Sequence, residues 1–491
     1  MIKKRHHKII LAVIFGFLSI QCGVSSLTDE TANSISENQA AVVETTESGE
    51  AALGTLLINS GYNQRIKASE TSQINGSSVD FSSLDILICW EIYFGRLITK
   101  IAAISAKNKN KKRIYPINKN IFYKNPLHIF KKEKIDILFE CIGLSDGISK
   151  KIVETALINK IHVITPNKTL IAKHGDYLAK LAEKNRVNLE FEASVAGGIP
   201  VLRTIKEGLA TNKINKVYGI LNGTTNYILS EMENSNETFD KVLQKAQKLG
   251  YAEPGNPKLD LNGFDAFAKI RILSALSFNT KISKSKCIME GIENIKLEDI
   301  KIANQLGLRV KLLGISEIVN GQLFETVHPC LVSKKSYIGN VNGVMNAVIT
   351  EGKPVGESVL QGEGAGPGPT SSSLLSDLLS ILRGANKYPF GISTSKRNFI
   401  KPFNKDNYTN SLYLRFEVKD KQGVLSLITN RLAKYKISVK RIIQTPDKKN
   451  KRATIVIITH KTTEINSKKC LSIFKKNKNI LKFPTLIRLY N

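Results

Sequence analysis

The chain has 491 residues, 42% of them hydrophobic, and a formal net charge of +30. That length and apolar content belong to a globular protein of two to four domains, each with a core of its own. The positive charge comes from lysines spread among asparagines and isoleucines, with no arginine-rich arm and no basic patch interleaved with aromatics. It reads as a self-repelling, soluble surface, and no nucleic-acid partner is expected.

Two readings are open for the N-terminus. A basic start, "MIKKRHHK", leads into "ILAVIFGFLSIQCGVSSL" (Ile10 to Leu27). This is an apolar run of signal-peptide length, shorter than the roughly 20 residues of a stable membrane span. Its end, "LSIQC", has Gln21 where a lipoprotein site has a small residue. The same run also fits the first strand and turn of a dinucleotide-binding domain that has lost glycines. The six cysteines (Cys22, Cys89, Cys141, Cys287, Cys330 and Cys470) are scattered and have no zinc-like spacing, which fits a reducing compartment.

Residues 28–80 are rich in Ser, Thr, Glu and Asn and read as a polar linker. After them "LDILICWEIYFG" (Leu84 to Gly95) is an alternative first strand, "LITKIAAISA" a strand leading into "KNKNKKR", and "KIDILFECIG" a strand ending at Gly143. Then "GISKKIVETALINK", "IHVITPNK", "HGDYLAKLAEKN" and "VNLEFEAS" alternate helix, strand, helix, strand, the pattern of a parallel sheet covered by helices. In "QGEGAGPGPTSSSLLSDLLSILRG" a glycine-rich loop opens a helix, with Thr370 to Ser373 expected as its N-cap region. From Leu412 the pattern is strand, helix, strand, strand, helix, strand, a ferredoxin-like unit. With Asp420 and Gly423 at its first strand-to-helix turn, this tail resembles an ACT domain, although Gln422 replaces the usual helix-entry proline. The expected fold is α/β: a Rossmann-like nucleotide-binding domain at 81–165 with a degraded N-terminal part in 1–27, a mixed α/β catalytic and dimerisation domain at 166–400, and the ACT-like unit at 408–491. The 370–385 helix is expected to pack back on the nucleotide-binding domain.

Three segments carry chemistry. "GILNGTTNYIL" places Gly223 and Thr224 in a turn that offers amide and hydroxyl donors to a small polar ligand; an ordinary capped turn is the plain alternative. "YAEPGNPKLDLNGFDAFAKIRIL" gathers Glu253, Asp260, Asp265 and Lys269. Asp265 and Lys269, four apart, share a helical face, either as a solvated ion pair or as a carboxylate set beside a proton-shuttling lysine. "ITPNKTLIA" and "FEASVAGGIPVL" put Lys168 past a strand end and Gly197 with Gly198 where backbones approach closely.

With these motifs in this order from about Ile135 to Ala385, and the ACT-like tail, the sequence resembles homoserine dehydrogenase. The resemblance implies NAD(P)-dependent interconversion of homoserine and aspartate 4-semialdehyde. It implies Lys269 as proton donor to the carbonyl oxygen, Lys168 as a second catalytic and cofactor-side lysine, and Glu253 at the substrate ammonium. Asp260 and Asp265 would orient substrate or lysine, and Gly223 and Thr224 would line the substrate site. Gly364 and Gly143 would lie along the cofactor. Glu192, Val195, Gly197 and Ile199 fall on the family's monovalent-cation site, sodium for example, with a tight turn as the plain alternative. A feedback effector at the ACT unit and a homodimer or homotetramer are further implications.

The nucleotide fingerprint departs from the family. Gly16 aligns with its first glycine, but Leu18 and Gln21 replace the next two, which give backbone access to pyrophosphate and close helix packing. Lys107, at the exit of "IAAISAK", aligns with a residue that meets the 2′-phosphate, so NADP is expected over NAD. The reading is a cytoplasmic enzyme, exported or lipid-anchored if residues 1–22 act as a signal. The alternative is an amino-acid-binding regulatory protein that has lost its cofactor site.

Overall fold

Valine- and isoleucine-rich runs with little charge form the first sheet, the composition of parallel strands covered on both faces. In the computed structural model, which describes residues 9–15, 99–107, 118–253, 257–447 and 451–490, this sheet comprises β1 (Ile9–Phe15), β2 (Thr99–Ala106), β3 (Ile137–Cys141), β4 (His162–Ile164) and β5 (Leu189–Glu190). The order is β2-β1-β3-β4-β5, with every pairing parallel. The start of the segment read two ways from sequence is thus an inner strand, paired between β2 and β3. Phe15 is in register with Ala106 on one side and Cys141 on the other, so three strand ends lie level where the strand order reverses. Open α/β sheets bind ligands at such an edge. The alternative first strand at Leu84 to Gly95, and the fingerprint from Gly16 through Leu18 to Gln21, lie outside the described residues.

Helices α1 (Ile148–Ile158) and α2 (Lys168–Asn185) connect these strands. Asn167 caps α2 through its side-chain oxygen, which accepts from Leu170 N at 3.0 Å. The helix therefore starts at Lys168, ahead of the expected "HGDYLAK". "VNLEFEAS" yields only a two-residue strand, because Glu192–Ser194 turns away as a 3-10 helix.

The second sheet is mixed. Its first part holds β6 (Lys213–Ile220), β7 (Ile288–Met289), β8 (Leu308–Val319), β9 (Gln322–Ser333), β10 (Met345–Lys353) and β11 (Gly356–Glu363). Helices α3 (Gly223–Ser235), α4 (Phe239–Lys248), α5 (Lys258–Leu261), α6 (Phe264–Ser277) and α7 (Leu297–Gln305) accompany it, with α3, α6 and α7 packing on β8. Almost all of α6 is buried, so its two buried charged residues, at 265 and 269, must find partners inside the protein.

Helix α8 (Pro367–Leu382) starts earlier than the sequence pattern suggested. Thr370 to Ser373 lie inside it, because Gly366, at φ 105°, turns the chain and Pro367 fits the first helical position. Leu374, Leu378 and Ile381 pack against Ile137, Phe139 and Ile164 of the parallel sheet. The C-terminal unit follows as β12 (Thr409–Lys419), α9 (Val424–Lys434), β13 (Val439–Asp447), β14 (Arg452–Thr459), β15 (Thr462–Thr463), α10 (Glu464–Ile473) and β16 (Thr485–Tyr490). Its strand order β16-β12-β14-β13 is ferredoxin-like, and β16 pairs in parallel with β9, so one sheet runs through both units.

Leu378 is fully buried between α8 and the parallel sheet. Leu378→Ala should lower the free energy of unfolding by roughly 2–5 kcal/mol, read from the urea midpoint at unchanged slope.

Candidate active site

One carboxylate organises the site. Asp265 Oδ1 lies 2.9 Å from Lys168 Nζ and Oδ2 lies 2.8 Å from Lys269 Nζ. Lys168 is the first residue of α2, where a cation is disfavoured by the helix dipole, so its carboxylate partner is what holds it there. Lys269 is buried, and its ammonium also donates to Leu221 O at 2.6 Å. The solvated-pair alternative for Asp265 and Lys269 therefore does not describe this site. Burial by itself would push the Asp265 carboxyl up. The charges of Lys168 and Lys269, with hydrogen bonds from Lys269 and Asn222, overcome it and hold the group well below the usual carboxylate range. The same charge raises the Lys168 ammonium against its own burial.

Asn222, which sequence reading passed over, joins the acids. Its Nδ2 donates to Asp260 Oδ1 at 2.9 Å and to Asp265 Oδ2 at 3.0 Å, while its Oδ1 caps α3 by accepting from Thr225 N. Asp260 is pushed up by burial and by the neighbouring Asp265 charge. Gly223 has no room for a side chain, since a Cβ would lie 2.6 Å from Val344 O. The Thr224 hydroxyl donates to Tyr251 O. Further along α3, Asn226 donates to Val341 O, Gly343 O and Met345 O and accepts from Lys311 Nζ at 3.0 Å. Lys311, 1% exposed, also donates to Val341 O and Asn342 Oδ1, and this clamp fixes the loop ahead of β10.

On the nucleotide side, the buried Glu140 accepts from Ile142 N, the Ser149 and Thr165 hydroxyls and Asn167 Nδ2. It ties the exits of β3 and β4 together and so positions Lys168. Gly143, at φ 85°, turns the chain just past β3. Gly197 (φ 46°) packs against Gly364, where a Cβ would come within 2.6 Å of backbone, and Gly197 O accepts from the Ser373 hydroxyl. The Glu192 carboxylate accepts from Leu202 N and Arg203 N, each at 2.8 Å, and is engaged within the protein. Val195 N bonds Glu192 O, and Ile199 N bonds Ala196 O, in the same tight turn. Among the described residues no group of three or more His, Cys, Asp and Glu side chains is arranged to hold a metal ion.

Not every expected residue joins this cluster. Glu253 is exposed, ahead of 254–256, and its backbone carbonyl accepts from Gln247. Lys107 ends the described part of the β2 exit, and Gly16 lies outside the described residues.

A family model for homoserine dehydrogenase matches residues 200–379, its NAD-binding domain matches 97–192, and an ACT domain model matches 412–478. A homoserine dehydrogenase of Neisseria gonorrhoeae is 39% identical over 376 residues, covering 75% of this chain and 86% of that protein. One from Bacillus subtilis is 36% identical, with 74% and 84% covered. The chain belongs to the homoserine dehydrogenase family. Among solved structures, the Thiobacillus denitrificans homoserine dehydrogenase superposes with a TM-score of 0.75 at 28% identity, covering 99% of each chain. That of Staphylococcus aureus at pH 7.5 gives 0.64 at 26%, with 99% and 100% covered.

A homoserine dehydrogenase needs a nicotinamide cofactor, and the residues here fit one. The sheet edge at Phe15, Ala106 and Cys141 sits at the strand-order reversal, and the NAD-binding match begins just before β2. Under Gly364, Asn346 is fully buried, and both polar atoms of its carboxamide lack a hydrogen-bond partner among the described residues. A Cβ on Gly364 would fall 1.9 Å from Asn346 Nδ2, so only glycine lets the loop lie on this amide. A donor and an acceptor side by side match the carboxamide of nicotinamide.

The clamp behind the site is testable by pH. Burial, with Arg309 nearby, lowers the Lys311 ammonium to about 8, against about 10.4 in an unfolded chain. Between those values only the unfolded state keeps the proton, so this residue makes stability rise with pH through that window. Urea unfolding of the wild type should therefore gain stability from pH 8 to 10 relative to Lys311→Met.

Proposed function

We propose that this chain interconverts L-aspartate 4-semialdehyde and L-homoserine with a nicotinamide cofactor, in threonine, methionine and isoleucine biosynthesis. The supporting observation is the buried Asp265 carboxylate shared by two ammonium groups and bonded by Asn222, whose neighbour Gly223 lies against the Asn346 amide under Gly364. The cofactor, when bound, supplies the hydride that reaches the aldehyde carbon. Lys269 has three N–H donors, of which Leu221 O and Asp265 take two. The third is left for the carbonyl oxygen, and as hydride arrives the ammonium passes its proton to the new alkoxide. Asp265 keeps both lysines aimed before transfer. Lys168, on the sheet side, holds positive charge where cofactor and substrate meet. Asp260 and Glu253 are assigned to the substrate ammonium, with Gly223 and Thr224 at its carboxylate end.

Finer assignments follow the same reading. Lys107 at the β2 exit favours NADP over NAD. A monovalent cation, if held, is held by carbonyl oxygens of Glu192, Val195, Gly197 and Ile199, since the Glu192 carboxylate already binds backbone amides. The enzyme is assigned to the cytoplasm as a homodimer or homotetramer, with an amino-acid effector at the ACT unit. No helix among the described residues is long and apolar enough to cross a membrane.

The test is NADPH binding by fluorescence titration, followed by NADPH oxidation on adding aspartate 4-semialdehyde. Lys269→Ala should lose at least a hundredfold in turnover, about the contribution of a general acid, with NADPH affinity unchanged. Full activity in that variant overturns the lysine's role, and a folded wild type that binds no NADPH overturns the enzyme. Lys107→Ala should reduce the preference for NADPH over NADH by roughly ten- to a hundredfold, the worth of a hydrogen bond to a charged group. An unchanged ratio of kcat/KM values removes the NADP assignment.

A further inference from the structure

The last strand of the ACT unit does more than close its own sheet. Arg488, on β16, is 2% exposed and binds two carboxylates at once. Its Nε and Nη2 donate to Glu464 of α10 at 2.5 and 3.0 Å, and its Nη1 and Nη2 donate to Glu290 of the catalytic unit at 2.8 and 2.9 Å. Forked, two-sided contact of this kind fixes orientation as well as charge. Beside it β16 pairs with β9, placing Arg488 opposite Cys330, so the strand cannot slide without breaking the ladder.

Glu290 is in turn set against the substrate loop. Its backbone N–H donates to Val327 O on β9, and the next residue, Gly291, lies flat on the end of α5. A Cβ there would meet Leu261 O at 2.0 Å and Asn262 Cα at 2.5 Å. Ile292 N then donates to Leu261 O at 2.9 Å. Leu261 follows Asp260, the acid that Asn222 ties to Asp265, and Gly263 N closes the turn on Asp260 O. A short packed route therefore runs from Arg488 through the 290–292 segment to the turn that presents Asp260.

We propose that Arg488 is a positioning residue for the substrate site: by holding Glu290 it fixes the 290–292 segment on which the Asp260 turn rests, so the ACT unit is a structural part of substrate binding. Glu464 orients the arginine from the ACT side. The inference deepens the reaction proposed above and rests on that assignment of Asp260 to substrate.

The experiment compares Glu464→Gln, Glu290→Gln and the double variant in the full-length enzyme. Both single variants should raise KM for homoserine by about two- to thirtyfold, the range of coupling through packed networks. Turnover should stay within about twofold and NADPH affinity should not change. The double variant should be no worse than the weaker single, because both act through one arginine. A fall in Tm with KM unchanged in Glu464→Gln would make the cluster merely structural and overturn the proposal. So would parallel losses in kcat and NADPH affinity. Hydrogen exchange needs no turnover: faster exchange at 258–263 in Glu464→Gln, with α3 unchanged, supports the positioning role even if the reaction is assigned wrongly, and unchanged exchange there refutes it. Arg488→Lys, which keeps the charge but not the fork, gives the same readouts should a harsher change fail to fold.

Discussion

Two ammonium groups cannot sit a few ångströms apart in a buried helix junction unless an anion stands between them, and here that anion is Asp265. Isolated burial of the Lys269 charge would cost several kcal/mol, whereas a shared carboxylate with both oxygens engaged offsets the loss. From this requirement much of the surrounding architecture follows. Helix α6 must be sunk deeply enough to bring 265 and 269 inside, α2 must begin at 168 and not a turn later, and the Asn222 turn must close over the remaining lone pair. Glu140 serves the same end from the exit of β3, since it fixes the capping asparagine that precedes Lys168.

What sequence made legible were the parts whose meaning is local. The alternation of helix and strand after Asp146, the βαββαβ tail and the four-residue spacing of Asp265 and Lys269 all reflect short-range periodicity, and each is seen in the structure. The resemblance added the reaction class. Other features depended on partners far along the chain and were not visible. Asn226 with Lys311 and Arg488 with Glu290 join residues 85 and 198 positions apart, Asn346 under Gly364 crosses a strand pair, and none has a spacing of its own. Helix starts were missed for a physical reason too: serine and threonine caps were favoured at 370–373, yet a positive-φ glycine and a proline at the first position can open a helix without them.

The catalytic and ACT units are often imagined as beads on a string, but here they share hydrogen bonds as well as contacts. Besides the β16–β9 ladder, Arg415 of β12 pairs with Asp299 of α7, which also receives the Tyr413 hydroxyl and caps its own helix at Lys296. Asp299 is fully buried and Arg415 nearly so, so parting the units would strand charges in an apolar setting. The expected consequence is a single cooperative unfolding unit spanning both.

The position of β1 has a bearing on how the protein reaches this state. It stands between β2 and β3, yet the chain arrives at β2 only at residue 99, and among the described residues β2 pairs with no other strand of the sheet. Whatever form residues 16–98 take, a longer connection costs little at equilibrium, about 0.6 kcal/mol per doubling of a flexible loop. The effect falls on the order of events instead. Strands β3, β4 and β5 can assemble with their crossover helices from local sequence alone, whereas β2 stays unpaired until β1 is threaded into the gap beside β3. Non-local pairing of this sort is slow, so the β1 and β2 side of the sheet is expected to be completed after β3, β4 and β5.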